Sequence, residues 1–386
     1  MKVKSKAIIK KIVAYTLAFL LLFSGYVILS VYYWSITDEG RLPPKTAVIL
    51  HAVNNNIITS DMKTPKFLVK SSPSKIAREE ITMPLSEDIS IFGRVYYPKS
   101  EGPHPIILYY HGGAFLEGYG SIETHDNIIR ALSARTGSVV IAVGYRVAPE
   151  YIFPTAVEDS YATLIWAYEQ AERWNGDKDR IAVVGDSAGG NLATAVAIMA
   201  RDERGPSIVA QALLYPLTTF QDLPLRSRIM YDSGYYLLSR NVMSRSRELY
   251  TPLEEMWLSP YLSPLNAENL ADLPAALIIT AEFDPLRDEG EQYGQRLAES
   301  GVPVRHLHYK GVMHGFISFY EVMELGEHGL AETALFLRQA FQEPEVNPEQ
   351  YEQKIIGTNQ GAKKIREYIE AYAMAAFIIV KDISAR

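Results

Sequence analysis

The chain has 386 residues, 48% of them hydrophobic, and a net charge of −7. That length can bury a full core, and that charge excludes a nucleic-acid partner, whose phosphates call for a concentrated basic surface. Cysteine is absent, which rules out disulfides, thiolate metal sites and a cysteine nucleophile.

Residues 1–11 are basic, with Lys2, Lys4, Lys6, Lys10 and Lys11, and an uncharged apolar run follows from Ile12 to Trp34. As a helix those residues cover about 34 Å, against a bilayer core of about 30 Å. A cleaved signal peptide has a shorter apolar region, and Tyr32-Tyr33-Trp34 suits a membrane interface. We therefore expect 12–34 to be an uncleaved transmembrane signal anchor. The lysines before it keep the N-terminus cytoplasmic and put the remainder of the chain outside. No Asn-x-Ser/Thr acceptor occurs, which points, with the missing cysteines, to a bacterial cell surface.

Residues 35–88 hold Pro43-Pro44, Asn54-Asn55-Asn56 and Ser71-Ser72-Pro73 and read as a linker followed by helical pieces. From 89 to 342 strands and helices alternate. Strands are expected at Ile89–Tyr97, Ile106–Tyr110, Ser138–Val143, Ile181–Val184, Ala276–Thr280 and Val304–Tyr309. Helices are expected at Glu123–Thr136, Ala156–Glu172, Asn191–Arg201, Arg287–Ser300 and Gly326–Gln342. The pattern implies an α/β fold with a mostly parallel sheet covered by helices on both faces. The stretch from Leu217 to Leu273 breaks the rhythm and is rich in tyrosine. It reads as a helical cap inserted in a loop above the strand ends. The tail, 343–386, starts polar and ends in ten mostly apolar residues, Ala371–Val380. Ten are too few to span a bilayer, so a helix packed on the body or on a partner is expected.

Four segments carry chemistry: HGGAF at His111–Phe115, GDSAGG at Gly185–Gly190, EFDPLRDEG at Glu282–Gly290 and MHGF at Met313–Phe316. Ser187 lies between a strand and a helix and between two glycines, the context a nucleophile elbow requires. Asp284 and His314 each follow a strand, so all three residues fall at one edge of a parallel sheet. The order Ser…Asp…His is that of α/β-hydrolases. His314 is placed as the general base and Asp284 as its orienting acid, with Asp288 the other acid considered. Gly112 and Gly113 let backbone N–H groups come close to a substrate carbonyl and, with the N–H of Ala188, make a candidate oxyanion hole. His111 reads as an organiser of its loop. His306 and His308 share a strand face, but no carboxylate pattern accompanies them, and no metal or cofactor is expected.

Together with GYRVAPE at Gly144–Glu150 and FPTAVEDSYATLIWAYE at Phe153–Glu169, these segments resemble the hormone-sensitive-lipase-like family of α/β-hydrolases, in its GDSAG branch. The resemblance runs from about Pro105 to Gln342. It implies an α/β-hydrolase fold, a Ser187–Asp284–His314 triad and an oxyanion hole at Gly112, Gly113 and Ala188. Ala114 stands where many members have a third glycine. The family's two-part cap maps to 35–88 and 217–273. The expected activity is hydrolysis of short- to medium-chain or lipid-like carboxylic esters through an acyl-enzyme. A catalytically weak receptor on the same fold and a serine peptidase or amidase are the alternatives, and homodimerisation stays open.

Overall fold

The structure is a computed structural model and describes residues 2–57, 76–342, 351–358 and 360–385. Ser71-Ser72-Pro73 and the polar start of the tail, 343–350, lie outside the described residues. The chain divides into two compact units, one made from its two ends and one from the segment between them. The end unit begins with α1 (Lys2–Trp34), the two-residue strands β1 (Ile36–Thr37) and β2 (Gly40–Arg41), and α2 (Pro44–Asn54).

The central unit runs β3 (Ile76–Pro84), β4 (Ser90–Pro98), β5 (His104–Tyr110), α3 (Asp126–Thr136), β6 (Val139–Gly144), α4 (Thr155–Glu169), β7 (Gly176–Asp186) and α5 (Ala188–Asp202). It continues with β8 (Ile208–Leu214), α6 (Arg226–Met230), α7 (Arg240–Tyr250), β9 (Ala275–Phe283), α8 (Arg287–Glu299), β10 (Val304–Met313), α9 (Glu324–Gln342) and β11 (Tyr351–Ile356). The strands form one sheet in the order β11-β10-β9-β8-β7-β5-β6-β4-β3. Only β3–β4 and β4–β6 pair antiparallel; the other pairs are parallel. The central strands are almost wholly apolar and buried, as in Ile106–Tyr110, Val139–Val143 and Ile181–Val184, which is what a parallel sheet covered by crossover helices demands. Each such side chain contributes about 1.5–3 kcal/mol of burial. α5 packs on β5, β7 and β8, α9 on β8 and β9, and α8 on β9 and β10.

Three strands depart from the sequence reading. β8, IVAQALL, holds a buried Gln211 that interrupts its apolar run; the amide donates to the Pro274 carbonyl at 3.0 Å. β3, IAREEITMP, buries only Ile81 and Met83, while Glu79 accepts from Trp174 and Arg173. β11 lies in the tail and extends the sheet beside β10. The segment 35–88, expected as one linker and cap part, is thus split: Pro44–Asn54 belongs to the end unit and Ile76–Pro84 to the sheet.

The tail ends in α10 (Gly361–Ala385), which packs against α1 and α2. Val27, Val31, Val48, Ala52, Ala375, Ile378 and Ile379 form a buried cluster. The Lys45 ammonium donates to Glu370 at 2.5 Å, and that of Lys381 to the Ile57 carbonyl at 2.7 Å. The apolar decade of the tail therefore packs on the N-terminal helices. Elsewhere α1 is bare: over its most apolar stretch only 6% is buried, and Ile8–Trp34 is long and apolar enough to cross a membrane.

Candidate active site

Ser187 is the single residue between β7 and α5. Its φ of 55° and ψ of −118° put it in a strained turn, and the two flanking glycines make that turn buildable. A Cβ on Gly189 would strike the Tyr110 carbonyl, and one on Gly185 would strike the Gly189 carbonyl. The following helix points its N-terminal N–H groups and positive dipole end at the serine.

Asp284 follows β9 and His314 follows β10, so both rise from the same sheet edge as Ser187. His314 Nε2 lies 3.0 Å from Ser187 Oγ, and His314 Nδ1 lies 2.8 Å from Asp284 Oδ2. Asp284 is fully buried, and its other oxygen accepts the Leu286 N–H at 2.8 Å. The Tyr215 ring meets the imidazole edge-on at 5.0 Å. Burial alone lowers the His314 pKa. The Asp284 carboxylate and its hydrogen bond outweigh that, and the imidazole stands above its ordinary value.

Asp288, the other acid considered, is engaged elsewhere: it accepts the Ser227 N–H at 2.8 Å. His111 stacks on Tyr145 at 4.4 Å. Burial and the neighbouring His125 lower its pKa to about 4, so it is neutral and suits a loop-holding part. His306 and His308 both contact the Thr280 hydroxyl, at 2.9 and 3.1 Å. Among the described residues no group of three His, Asp or Glu could hold a metal ion.

The loop expected to receive an oxyanion differs from expectation at one residue. The Gly112 N–H already donates to Asp186 Oδ1 at 3.0 Å, so it is not free for a substrate. The N–H groups of Gly113 and Ala188 carry no hydrogen bond among the described residues. Gly113 adopts a φ of 137° that side-chain-bearing residues avoid. Asp186 also accepts from the Tyr109 hydroxyl at 2.7 Å and pairs with His125 Nε2 at 3.1 Å. Burial opposes its ionisation. His125 and these hydrogen bonds prevail, so Asp186 lies below and His125 above their ordinary pKa values. The sequence reading gave neither residue a role. Asp186 sat inside a quoted motif, whereas nothing local marks His125.

A narrow recess of about 30 Å³ adjoins Ser187, with Ala114, Leu217, Phe220 and Leu286 in its wall. Leu217 and Phe220 belong to the inserted segment, which also contributes Leu238, Met243 and Ser246, and the Ser246 hydroxyl donates to the Ala114 carbonyl at 2.7 Å. α6 is tied beneath it by a buried pair, Arg228 with Glu289, whose guanidinium also donates to the Gln221 and Thr219 carbonyls.

Residues 107–318 match a family model described as the alpha/beta hydrolase fold. An arylesterase of Saccharolobus solfataricus is 40% identical over 256 residues, which is 66% of this chain and 82% of that protein. The carboxylesterase NlhH of Mycobacterium tuberculosis is 38% identical over 67% of this chain and 80% of its own length. Among solved structures, the hyperthermophilic esterase of Pyrobaculum calidifontis is 42% identical with a TM-score of 0.66, covering 68% of this chain and 85% of that one. The chain belongs to the α/β-hydrolase-fold family.

Proposed function

We propose that the protein is a serine carboxylic ester hydrolase held at a membrane by α1, with its central unit outside the cytoplasm. The observation that carries the catalytic reading is the relay from Asp284 through His314 to Ser187, at 2.8 and 3.0 Å. Ser187 Oγ attacks the ester carbonyl while His314 Nε2 takes its proton. The tetrahedral oxyanion is received by the N–H groups of Gly113 and Ala188. His314 then returns the proton to the leaving alcohol, and an acyl-enzyme remains. Water, activated by the same imidazole, attacks that ester and releases the acid. Asp284 fixes the imidazole tautomer and stabilises its cation. The names of the related esterases agree with this chemistry.

The mostly apolar recess, narrowed by Leu238, Met243 and Phe220, favours short- to medium-chain acyl groups. p-Nitrophenyl acetate and butyrate are expected to be hydrolysed with kcat/KM at least about tenfold above the palmitate ester, since a chain too long for the recess holds the carbonyl away from the attack geometry. The matched anilide should turn over far more slowly than the ester. Faster amide turnover would reassign the enzyme as an amidase.

The base also sets the pH response. His314 accepts a proton only when neutral, and its pKa is raised above 6.5. Activity is therefore expected to fall as pH drops through a midpoint above 6.5. Asp284→Asn should shift that midpoint downward and lower kcat by about 10⁴. A wild-type acidic limb centred below 6.5 contradicts the assignment.

A further inference from the structure

We propose that the end unit carries a binding site for the phosphodiester headgroup of an anionic membrane lipid. The inference rests on reading α1 as a membrane span. A cavity of about 330 Å³ lies at the C-terminal end of α1, entirely within this unit. That volume falls in the range of small-ligand sites, about 300–1,000 Å³. Its wall includes Tyr32 of α1, Ser35 just after it, Arg41 of β2, and Lys364, Tyr368 and Tyr372 of α10.

Arg41 and Lys364 are the cations of that wall. Neither has a carboxylate partner among the described residues; each instead faces a ring, Arg41 over Tyr32 at 4.8 Å and Lys364 over Tyr368 at 5.9 Å. Glu367 also lines the cavity, which leaves the wall with one net positive charge. A guanidinium offers a planar fork to phosphate oxygens and an ammonium a point charge. Tyr32, Tyr368 and Tyr372 add hydroxyl-bearing side chains to the same wall.

Position selects the source of the phosphate. The cavity sits where the apolar run of α1 gives way to Tyr32, Tyr33 and Trp34, the level of lipid headgroups for a spanning helix. α10 also exposes Ile365, Ile369, Phe377 and Val380, apolar side chains suited to acyl chains. A wall with net positive charge distinguishes an anionic from a zwitterionic headgroup by the charge-assisted hydrogen bonds it offers the phosphate.

The test uses the full-length protein, extracted from membranes in a zwitterionic detergent and offered equimolar phosphatidylglycerol and phosphatidylcholine. Bound lipid is counted by native mass spectrometry. The wild type should retain phosphatidylglycerol about tenfold over phosphatidylcholine, and the Arg41→Gln/Lys364→Gln pair should bring the ratio near one. Lys364→Gln alone, a change at an exposed side chain, should lower it about threefold, which guards against misfolding of the double variant. Equal retention by wild type and variants overturns the site. So does binding of soluble glycerol phosphate with no preference for the intact lipid. Alkaline carbonate washing of the membranes is run in parallel. Release of the protein overturns the span, and the lipid site with it, whereas carbonate resistance without lipid selectivity overturns the site alone.

Discussion

Replacing Ser187 with alanine is expected to lower kcat on p-nitrophenyl acetate by about 10⁶, the loss seen when a triad loses its nucleophile. The hydroxyl oxygen is the only heavy atom removed, and the turn that holds it is set by Gly185 and Gly189 and not by the serine side chain. The melting temperature should therefore stay within a few degrees of the wild type. The Gly113 and Ala188 N–H groups survive in the variant, so a residue of activity above the water reaction is expected from oxyanion binding alone. A variant that keeps more than about one-hundredth of the activity would show that another group performs the attack. A variant that is inactive and also unfolded would be uninformative about chemistry, and the melting curve separates the two.

Arg228→Ala is expected to have the largest effect on stability. Arg228 and Glu289 are both buried; Glu289 also accepts the Thr218 N–H at 2.7 Å. Burial raises the Glu289 pKa even with the guanidinium present. Removing the arginine leaves that carboxyl without its counter-charge and frees the Thr219 and Gln221 carbonyls. Breaking such a pair from one side costs about 3–5 kcal/mol, which lowers the melting temperature by roughly 5–15 °C in a unit of this size. Because Arg228 belongs to α6 and lines the recess beside Ser187, KM should rise as well. Arg228→Met combined with Glu289→Leu should recover most of the lost stability. A double variant as unstable as the single one would mean that the hydrogen bonds to the carbonyls dominate over the charge pair.

The candidate triad was legible because each member sits in a local pattern. Ser187 is bracketed by glycines after an apolar strand, and Asp284 and His314 end strands of their own. The Gly112 N–H, expected to face a substrate carbonyl, donates instead to Asp186, 74 residues away in sequence, and no spacing rule links the two. Strand β8 escaped because the buried Gln211 resembles a solvent-facing residue until the Pro274 carbonyl is placed beside it. β3 escaped for the opposite reason: three charged residues, Arg78, Glu79 and Glu80, occupy an edge strand with only one thin apolar face. The end unit was the least legible part. Its two halves meet across 325 residues, at Lys45 and Glu370, and the tail alone offers only ten apolar residues, Ala371–Val380.

The meeting of the two chain ends bears on how a water-soluble form of the enzyme should be cut. Deleting α1 alone strips the cover from Val48, Ala52, Ala375, Ile378 and Ile379 and leaves a greasy two-helix remnant prone to self-association. Cutting both ends together, beyond α2 and before α10, removes the remnant and keeps every strand of the sheet. The two termini are in this sense one part, to be kept or discarded as a pair.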